Sequence, residues 1–262
     1  MSVHSSRKGF VVGHPAHLLT VLGMLIRWRP HILVLTKIDA GAGAVQTDLI
    51  REIGSTLHLD DKITFCGFDE EESYQNALSG NFSHHLEWAG KIEGWLKEVR
   101  PDQVYGDAFE VYNFHHDLGR LMLDAAVRRR VKDGCQIENF EFPLSSQGVG
   151  SDEPVKYGEF TDGSGTPFVL TDEEAKRKSK IGDLARERDP FVKEVAPAFV
   201  DISREWYRAI PSDRDYTVPP RGLRLFYDER GAKQVAAGKY TEVITFREHF
   251  VPIVNGLASM GE

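Results

Sequence analysis

The sequence predicts a three-layer α/β fold with a mainly parallel sheet. Between residues 10 and 142, short apolar runs of strand length alternate with longer segments whose apolar residues recur at helical spacing. Strands that alternate with helices of this length form βαβ units, which place the strands parallel in one sheet. A chain of 262 residues is an ordinary length for one such α/β domain.

Four strands and four helices are predicted in this first part of the chain. The strands are residues 10–12, 31–36, 63–67 and 102–107. The helices are residues 18–29, 47–57, 82–99 and 116–131. Pro30 and Pro101 follow the first and third of these helices, and each is expected to end its helix because proline lacks the N–H that a helix needs.

The chain changes character after Phe142. Residues 145–165 are rich in Gly, Ser and Asp, which is typical of a long loop. The remaining predicted elements are helices over residues 171–187, 190–210 and 240–257 and a strand over residues 223–227. We therefore expect a single domain, in which residues 1–145 form the sheet core and residues 146–262 form an α-rich cap.

Composition excludes several classes of function. The formal net charge of −8 argues against a nucleic-acid partner, because phosphate binding needs a basic surface. No apolar run approaches the roughly 20 residues of a membrane span, and the first nine residues are polar. The two cysteines, Cys66 and Cys135, are far apart and lack the spacing of a metal site. We expect a soluble, cytoplasmic protein.

The turn after the first predicted strand carries the sharpest chemical signal. Residues 13–17 read Gly-His-Pro-Ala-His, which places His14 and His17 three positions apart. In an open α/β sheet, residues just past the C-terminal end of a strand face the crevice where ligands bind. Two imidazoles in such a turn can converge on one metal ion. The alternative is a pair of surface histidines beside a strand.

A second polar cluster follows the fourth predicted strand, within residues 106–117. Its carboxylates and histidines are Asp107, Glu110, Asp117, His115 and His116. If the first and fourth strands lie close together, one histidine of this cluster can join His14 and His17 around a single cation. Three protein ligands and an open position for water describe a catalytic zinc site, where a nearby carboxylate serves as general base.

With these two motifs, the first 145 residues resemble the PIG-L/LmbE-like family of zinc-dependent N-deacetylases in order and spacing. That family has a Rossmann-like α/β fold, a His-Pro-Asp-Asp-Glu turn after the first strand and a later His-x-Asp-His segment. The matching segments here are residues 14–17 and 113–117. The resemblance implies Zn²⁺, or another divalent metal, bound by His14, His17 and His116. It also implies deacylation of an N-acylated amino sugar or a related small molecule.

Three positions depart from the family pattern. His17 stands in place of the ligand Asp, an exchange that zinc accepts, and Leu18 stands in place of the following Glu. Ala16 stands in place of the catalytic base and cannot take a proton. We therefore expect the base to be Asp107 or Glu110, unless these residues cap helices or form ion pairs. Asp107 is favoured because it directly follows a strand.

The remaining site residues are less tightly specified by the sequence. His116 is favoured as the third ligand because a helix is expected to start there, although the family spacing also permits His115. Asp117 is then expected to orient a ligand imidazole. His249, on the closing helix, is a candidate oxyanion stabiliser or acid, and its alternative is a partly buried helix histidine.

Two further functions compete with a hydrolase. The first is a catalytically degenerate family member that binds a sugar or sugar nucleotide without hydrolysing it, which Ala16 makes credible. The second is a Rossmann-like transferase with incidental histidines. The Gly-rich stretch at residues 40–44 matches neither GxGxxG nor a P-loop, so the sequence carries no nucleotide fingerprint to support the transferase.

Overall fold

The computed structural model describes residues 6–36, 42–146, 156–189, 203–238 and 240–259. The strands are β1 (Lys8–Val12), β2 (His31–Thr36), β3 (Ile63–Phe68), β4 (Gln103–Asp107), β5 (Glu138–Phe142), β6 (Ser145–Ser146), β7 (Lys156–Tyr157), β8 (Thr166–Val169) and β9 (Arg204–Ala209). The α-helices are α1 (Leu22–Trp28), α2 (Ala42–Leu57), α3 (Glu70–Leu78), α4 (Ser83–Val99), α5 (Phe114–Lys132), α6 (Asp172–Arg188), α7 (Tyr227–Ala236) and α8 (Val251–Ser259). Short 3₁₀ turns span Pro15–Val21 and Asp60–Lys62, and a π-helical turn spans Phe246–Phe250.

The main sheet has seven strands in the spatial order β3-β2-β1-β4-β5-β9-β8. The first five strands are parallel, and β9 and β8 are antiparallel to their neighbours. The mainly parallel α/β fold predicted from the sequence is therefore confirmed. The chain runs outward from β1 through β2 to β3 and then returns to β4 on the other side of β1. The carboxyl ends of β1 and β4 thus form the switch point where open sheets bind ligands.

Two buried apolar clusters cover the opposite faces of this sheet. In β1, Phe10 and Val12 belong to the cluster that includes α1, α2 and α6, whereas Val11 belongs to the cluster that includes α4, α5 and α8. Since consecutive strand residues point to opposite faces, the central strands need apolar side chains at every position. This explains why they read as continuous apolar runs in the sequence, and it produces the three layers.

The C-terminal part of the chain contributes to the sheet as well as covering it. The predicted helix over residues 190–210 is wrong at its end, because Arg204–Ala209 forms β9 between β5 and β8. The buried Glu205 explains the strand: its carboxylate accepts hydrogen bonds from the backbone N–H groups of Gly23 and Met24, at 2.6 and 2.8 Å. Residues 190–202 of that predicted helix lie outside the described residues.

The predicted strand over residues 223–227 is also wrong. Phe226 N–H donates to the Val111 carbonyl at 2.8 Å, and α7 begins at Tyr227 with Asp228 and Glu229 in its first turn. A short, mostly apolar segment such as residues 223–227 does not by itself separate a strand from a segment that packs on the core. The closing helix begins later than predicted, at the π-helical turn and α8. Across the described residues, no helix is long and apolar enough to span a bilayer.

Close packing of β4 on α5 depends on Gly106. A Cβ atom at this position would lie 2.6 Å from Leu123 Cδ2 and 3.2 Å from the Val11 carbonyl oxygen. It would also lie 3.0 Å from Arg120 Nη1, and that guanidinium is held in place by hydrogen bonds to the Phe140 carbonyl and Asn139 Oδ1. Glycine therefore lets α5, whose first turn carries His116, approach the sheet between β1 and β4.

We expect Gly106→Ala to lower the free energy of unfolding by about 1–3 kcal/mol, because the added methyl overpacks this contact. Gly94→Ala on α4 is the matched control, since nothing lies within 4 Å of a Cβ there. It should raise stability by roughly 0.5–1 kcal/mol through helix propensity. Urea unfolding monitored by circular dichroism measures both changes, and wild-type stability in Gly106→Ala would contradict this account.

Candidate metal centre

The turn that carries His14 and His17 is held between two neighbouring strands. Gly13 N–H donates to Asp107 Oδ2, at the end of β4, over 2.8 Å. The Gly13 carbonyl accepts from both N–H and Oγ1–H of Thr36, at the end of β2, over 3.0 and 2.7 Å. Pro15 then opens the 3₁₀ turn, where its fixed φ is favourable and its missing N–H costs nothing.

The first turn of α5 brings His116 to the same place. Asn113 caps this helix, and its Oδ1 accepts from His115 N–H at 3.0 Å. Ring centroids of His14, His17 and His116 lie 4.3–5.1 Å apart. One nitrogen from each ring lies within 4.8 Å of the others, so the three side chains could hold a metal ion.

The state of these imidazoles suits a divalent metal. Burial lowers the pKa of His14 to about 4 and that of His116 well below its usual value, so both rings are neutral near pH 7. The Nδ1 atom of His116 is buried and has no hydrogen-bond partner among the described residues. Buried polar atoms normally have partners, so an unpartnered imidazole nitrogen beside the rings of His14 and His17 fits a site that takes a cation.

Asp107 couples the turn to the sheet and to His17. Its Oδ2 lies 2.8 Å from His17 Nδ1, and its Oδ1 is buried with no partner among the described residues. A carboxylate at Nδ1 fixes the ring orientation and leaves Nε2 as the nitrogen available to a metal. The second oxygen stays available to a molecule bound in the site.

Glu70 contacts one histidine of this centre, although no sequence motif indicated it. It lies in the first turn of α3, just past the end of β3, and its Oε1 is 3.0 Å from His14 Nε2. Burial alone would raise the pKa of Glu70, but the nearby imidazoles of His14, His115 and His17 together lower it. The sequence signal that could have indicated Glu70 is its position, because it follows a parallel strand and so lies at the same sheet edge as His14.

His115 lies next to this cluster and has a different partner. Its Nε2 donates to the Glu70 carbonyl at 3.1 Å, so it joins the first turns of α3 and α5. His249 Nδ1 accepts from Thr245 N–H at 2.9 Å, a contact within the π-helical turn of its own segment. Neither residue belongs to the group of three converging histidines.

The two other carboxylates of the second motif bind backbone and tyrosine groups. Glu110 accepts from Leu144 N–H and Ser145 N–H at 2.9 and 2.8 Å, and burial raises its pKa to about 8. Asp117 accepts from Glu110 N–H at 2.9 Å and from the Tyr227 hydroxyl, and burial raises its pKa to about 7. None of the described hydrogen bonds of Asp117 goes to a ligand imidazole.

The loop between β4 and α5 has a strained backbone beside the centre. Val111 has φ of +51°, a conformation that is rare for a β-branched residue. Asp117 accepts a hydrogen bond from the Val111 backbone, and the Val111 carbonyl accepts from Phe226 N–H. The carboxylate and α7 therefore hold the loop in a conformation that it would not adopt alone.

Comparison with known proteins gives a likeness in fold. No family model and no curated protein matches the chain. The crystal structure of the A40926 pseudoaglycone deacetylase Dbv21 superimposes with a TM-score of 0.53 at 13% identity. A deacetylase–teicoplanin complex from the teicoplanin biosynthesis pathway gives a TM-score of 0.52 at 10% identity. Each match covers 80% of this chain and 100% of the other. At these identities the likeness shows the fold.

The raised pKa of Glu110 predicts that stability depends on pH. Its pKa rises from 4.5 to about 8 on folding, so the folded state binds this proton more tightly than the unfolded state. The contribution is therefore present at acid pH and is lost as pH rises through this window. The slope of unfolding free energy against pH should be less negative in Glu110→Gln than in wild type. Equal slopes in urea titrations at several pH values would contradict the raised pKa.

Proposed function

We propose that the chain is a divergent member of the PIG-L/LmbE-like family and a Zn²⁺-dependent hydrolase. Its substrate class would be N-acylated amino sugars or related small molecules, from which it removes the acyl group. The observation that carries this proposal is the convergence of His14, His17 and His116 at the switch point of the sheet. The fold shared with the A40926 pseudoaglycone deacetylase and the teicoplanin-pathway deacetylase supports the same reaction class.

The three histidines are the residues that would hold the zinc ion. When bound, zinc supplies Lewis acidity to the scissile carbonyl and to the attacking water. Asp107 holds His17 in orientation from Nδ1, and the Gly13 N–H group shares the same carboxylate oxygen. Local rigidity is useful here because the attacking and accepting groups must be aligned before reaction.

Asp107 is the general base in this proposal. Its Oδ1 is buried and unpartnered among the described residues, so it can accept a proton from the attacking water. The water oxygen then bonds to the amide carbon, the C–N bond breaks, and the proton is delivered to the leaving nitrogen. The products are a carboxylate and an amine. Glu110 is a weaker candidate because both of its oxygens accept backbone N–H groups.

A protein that binds such a molecule without hydrolysing it is the second candidate. Ala16 favours it, because this position supplies the base in the family that the turn resembles. In that case Asp107 would serve only to hold His17 and Gly13. The two functions share the metal centre and differ in turnover.

We expect His17→Ala to lose most of the zinc that the wild type binds, at about one ion per chain. His58→Asn is the matched control, because His58 is exposed and has φ of +55°, which Asn tolerates. Elemental analysis after dialysis against buffered zinc measures the metal content. An unchanged zinc content in His17→Ala would contradict the proposed metal centre.

We expect Asp107→Asn to lower turnover about 10²-fold or more, as for loss of a general base. Assays at saturating zinc are needed because the variant also weakens the contact with His17. N-acetylglucosamine and its conjugates form the first substrate panel, with released amine as the signal. Retained turnover in Asp107→Asn would show that Asp107 is not the general base. A zinc-loaded wild type that binds one of these compounds without releasing amine would favour the binding protein.

A further inference from the structure

We infer that Glu70 is a fourth protein ligand of the metal centre formed by His14, His17 and His116. This inference rests on the proposed zinc site and adds a carboxylate to a set of three imidazoles, so the attacking water would be a fifth ligand, as catalytic zinc sites allow when they expand to five-coordination. It concerns the coordination of the ion, so it can be tested without knowledge of the substrate.

The position of Glu70 is determined by two contacts of the first turn of α3. Asp69 caps the helix, and its Oδ1 accepts from Glu72 N–H at 3.0 Å. The Glu70 carbonyl accepts from His115 Nε2 at 3.1 Å, which ties this turn to the start of α5. The neighbouring residue in α5 is His116. Glu70 is therefore fixed beside the histidine cluster by backbone contacts, while its side chain remains 36% exposed and able to adjust.

The hydrogen bonds around His14 indicate that its Nε2 is a ligand atom. Thr36 Oγ1 donates its proton to the Gly13 carbonyl, so it can only accept from His14 Nδ1, which lies 3.4 Å away. With the proton on Nδ1, the lone pair of Nε2 faces the carboxylate oxygen of Glu70 at 3.0 Å. Two electron-pair donors at this distance repel unless a cation lies between or beside them.

Charge balance favours a carboxylate in this site. Imidazole ligands contribute no negative charge, and a divalent ion held by three of them alone would leave two positive charges in a buried place. Uncompensated charge is costly where the effective dielectric constant is low. Asp107 supplies one negative charge through its contact with His17, and Glu70 supplies a second beside His14. Together, the two negative charges of Asp107 and Glu70 balance the charge of a divalent cation held by the site.

The alternative role for Glu70 is to orient His14 from outside the coordination sphere. In that arrangement His14 would carry its proton on Nε2, donate it to Glu70 and bind the metal through Nδ1. The Thr36 hydroxyl already donates its proton to the Gly13 carbonyl, so it would then form no hydrogen bond with the His14 ring. The two roles differ in the number of protein ligands on the ion.

The test compares Glu70→Gln with Glu71→Gln in the full chain. Both variants remove one negative charge from the same helical turn, and Glu71 is exposed, so their effects on helix stability should match. Zinc affinity is measured by competition with a chromophoric chelator. The visible spectrum of the Co²⁺-loaded proteins reports coordination, because its band positions and intensities depend on ligand number and geometry.

We expect Glu70→Gln to bind zinc at least ~10-fold more weakly than wild type, which is the smallest loss typical of an outer-shell partner. We also expect its Co²⁺ spectrum to differ from wild type, and Glu71→Gln to match wild type in both measurements. Weaker binding with an unchanged spectrum would make Glu70 a positioning residue and overturn the inference. Unchanged affinity would also overturn it. Failure of the wild type to bind zinc or Co²⁺ would overturn the proposed function as well.

Discussion

The Asp107 carboxylate is the contact on which the rest of the centre depends. One of its oxygens accepts from Gly13 N–H and lies 2.8 Å from His17 Nδ1, so the ends of β1 and β4 and the histidine turn are joined at one atom. Parallel strands bring these ends to the same edge, but they do not orient the side chains beyond them. The buried carboxylate does so, because ionic hydrogen bonds are shorter and stronger than neutral ones.

Packing of α5 on the sheet supplies the third histidine. Gly106 allows Leu123 of α5 to lie against β4, and this close approach carries the first turn of the helix to the switch point. The cap from Asn113 then sets where the helix starts and which side of it His116 occupies. Gly106 in β4 and Asn113 before α5 therefore determine the position of His116.

The sequence predicts the parts of this molecule that depend on local pattern. Strand and helix alternation predicts the mainly parallel sheet, which the structure confirms, and the His14 to His17 spacing indicates a turn that can face a ligand. Contacts between distant segments are not predictable in this way. The Glu70 carbonyl accepts from His115 Nε2 in α5, and Phe226 N–H donates to the Val111 carbonyl before α5. No local pattern encodes either contact.

Burial alone does not distinguish the proposed general base from the neighbouring carboxylates. Asp107, Glu110 and Asp117 are all almost fully buried and lie within one segment. Both oxygens of Glu110 accept from backbone N–H groups, and Asp117 accepts from a backbone N–H group and from the Tyr227 hydroxyl. These two carboxyl groups therefore stabilise the fold. Asp107 uses one oxygen for the fold and keeps the other free of protein partners among the described residues. A buried carboxylate oxygen normally has a donor, and a reacting water is the donor that the proposed function assigns to Asp107 Oδ1.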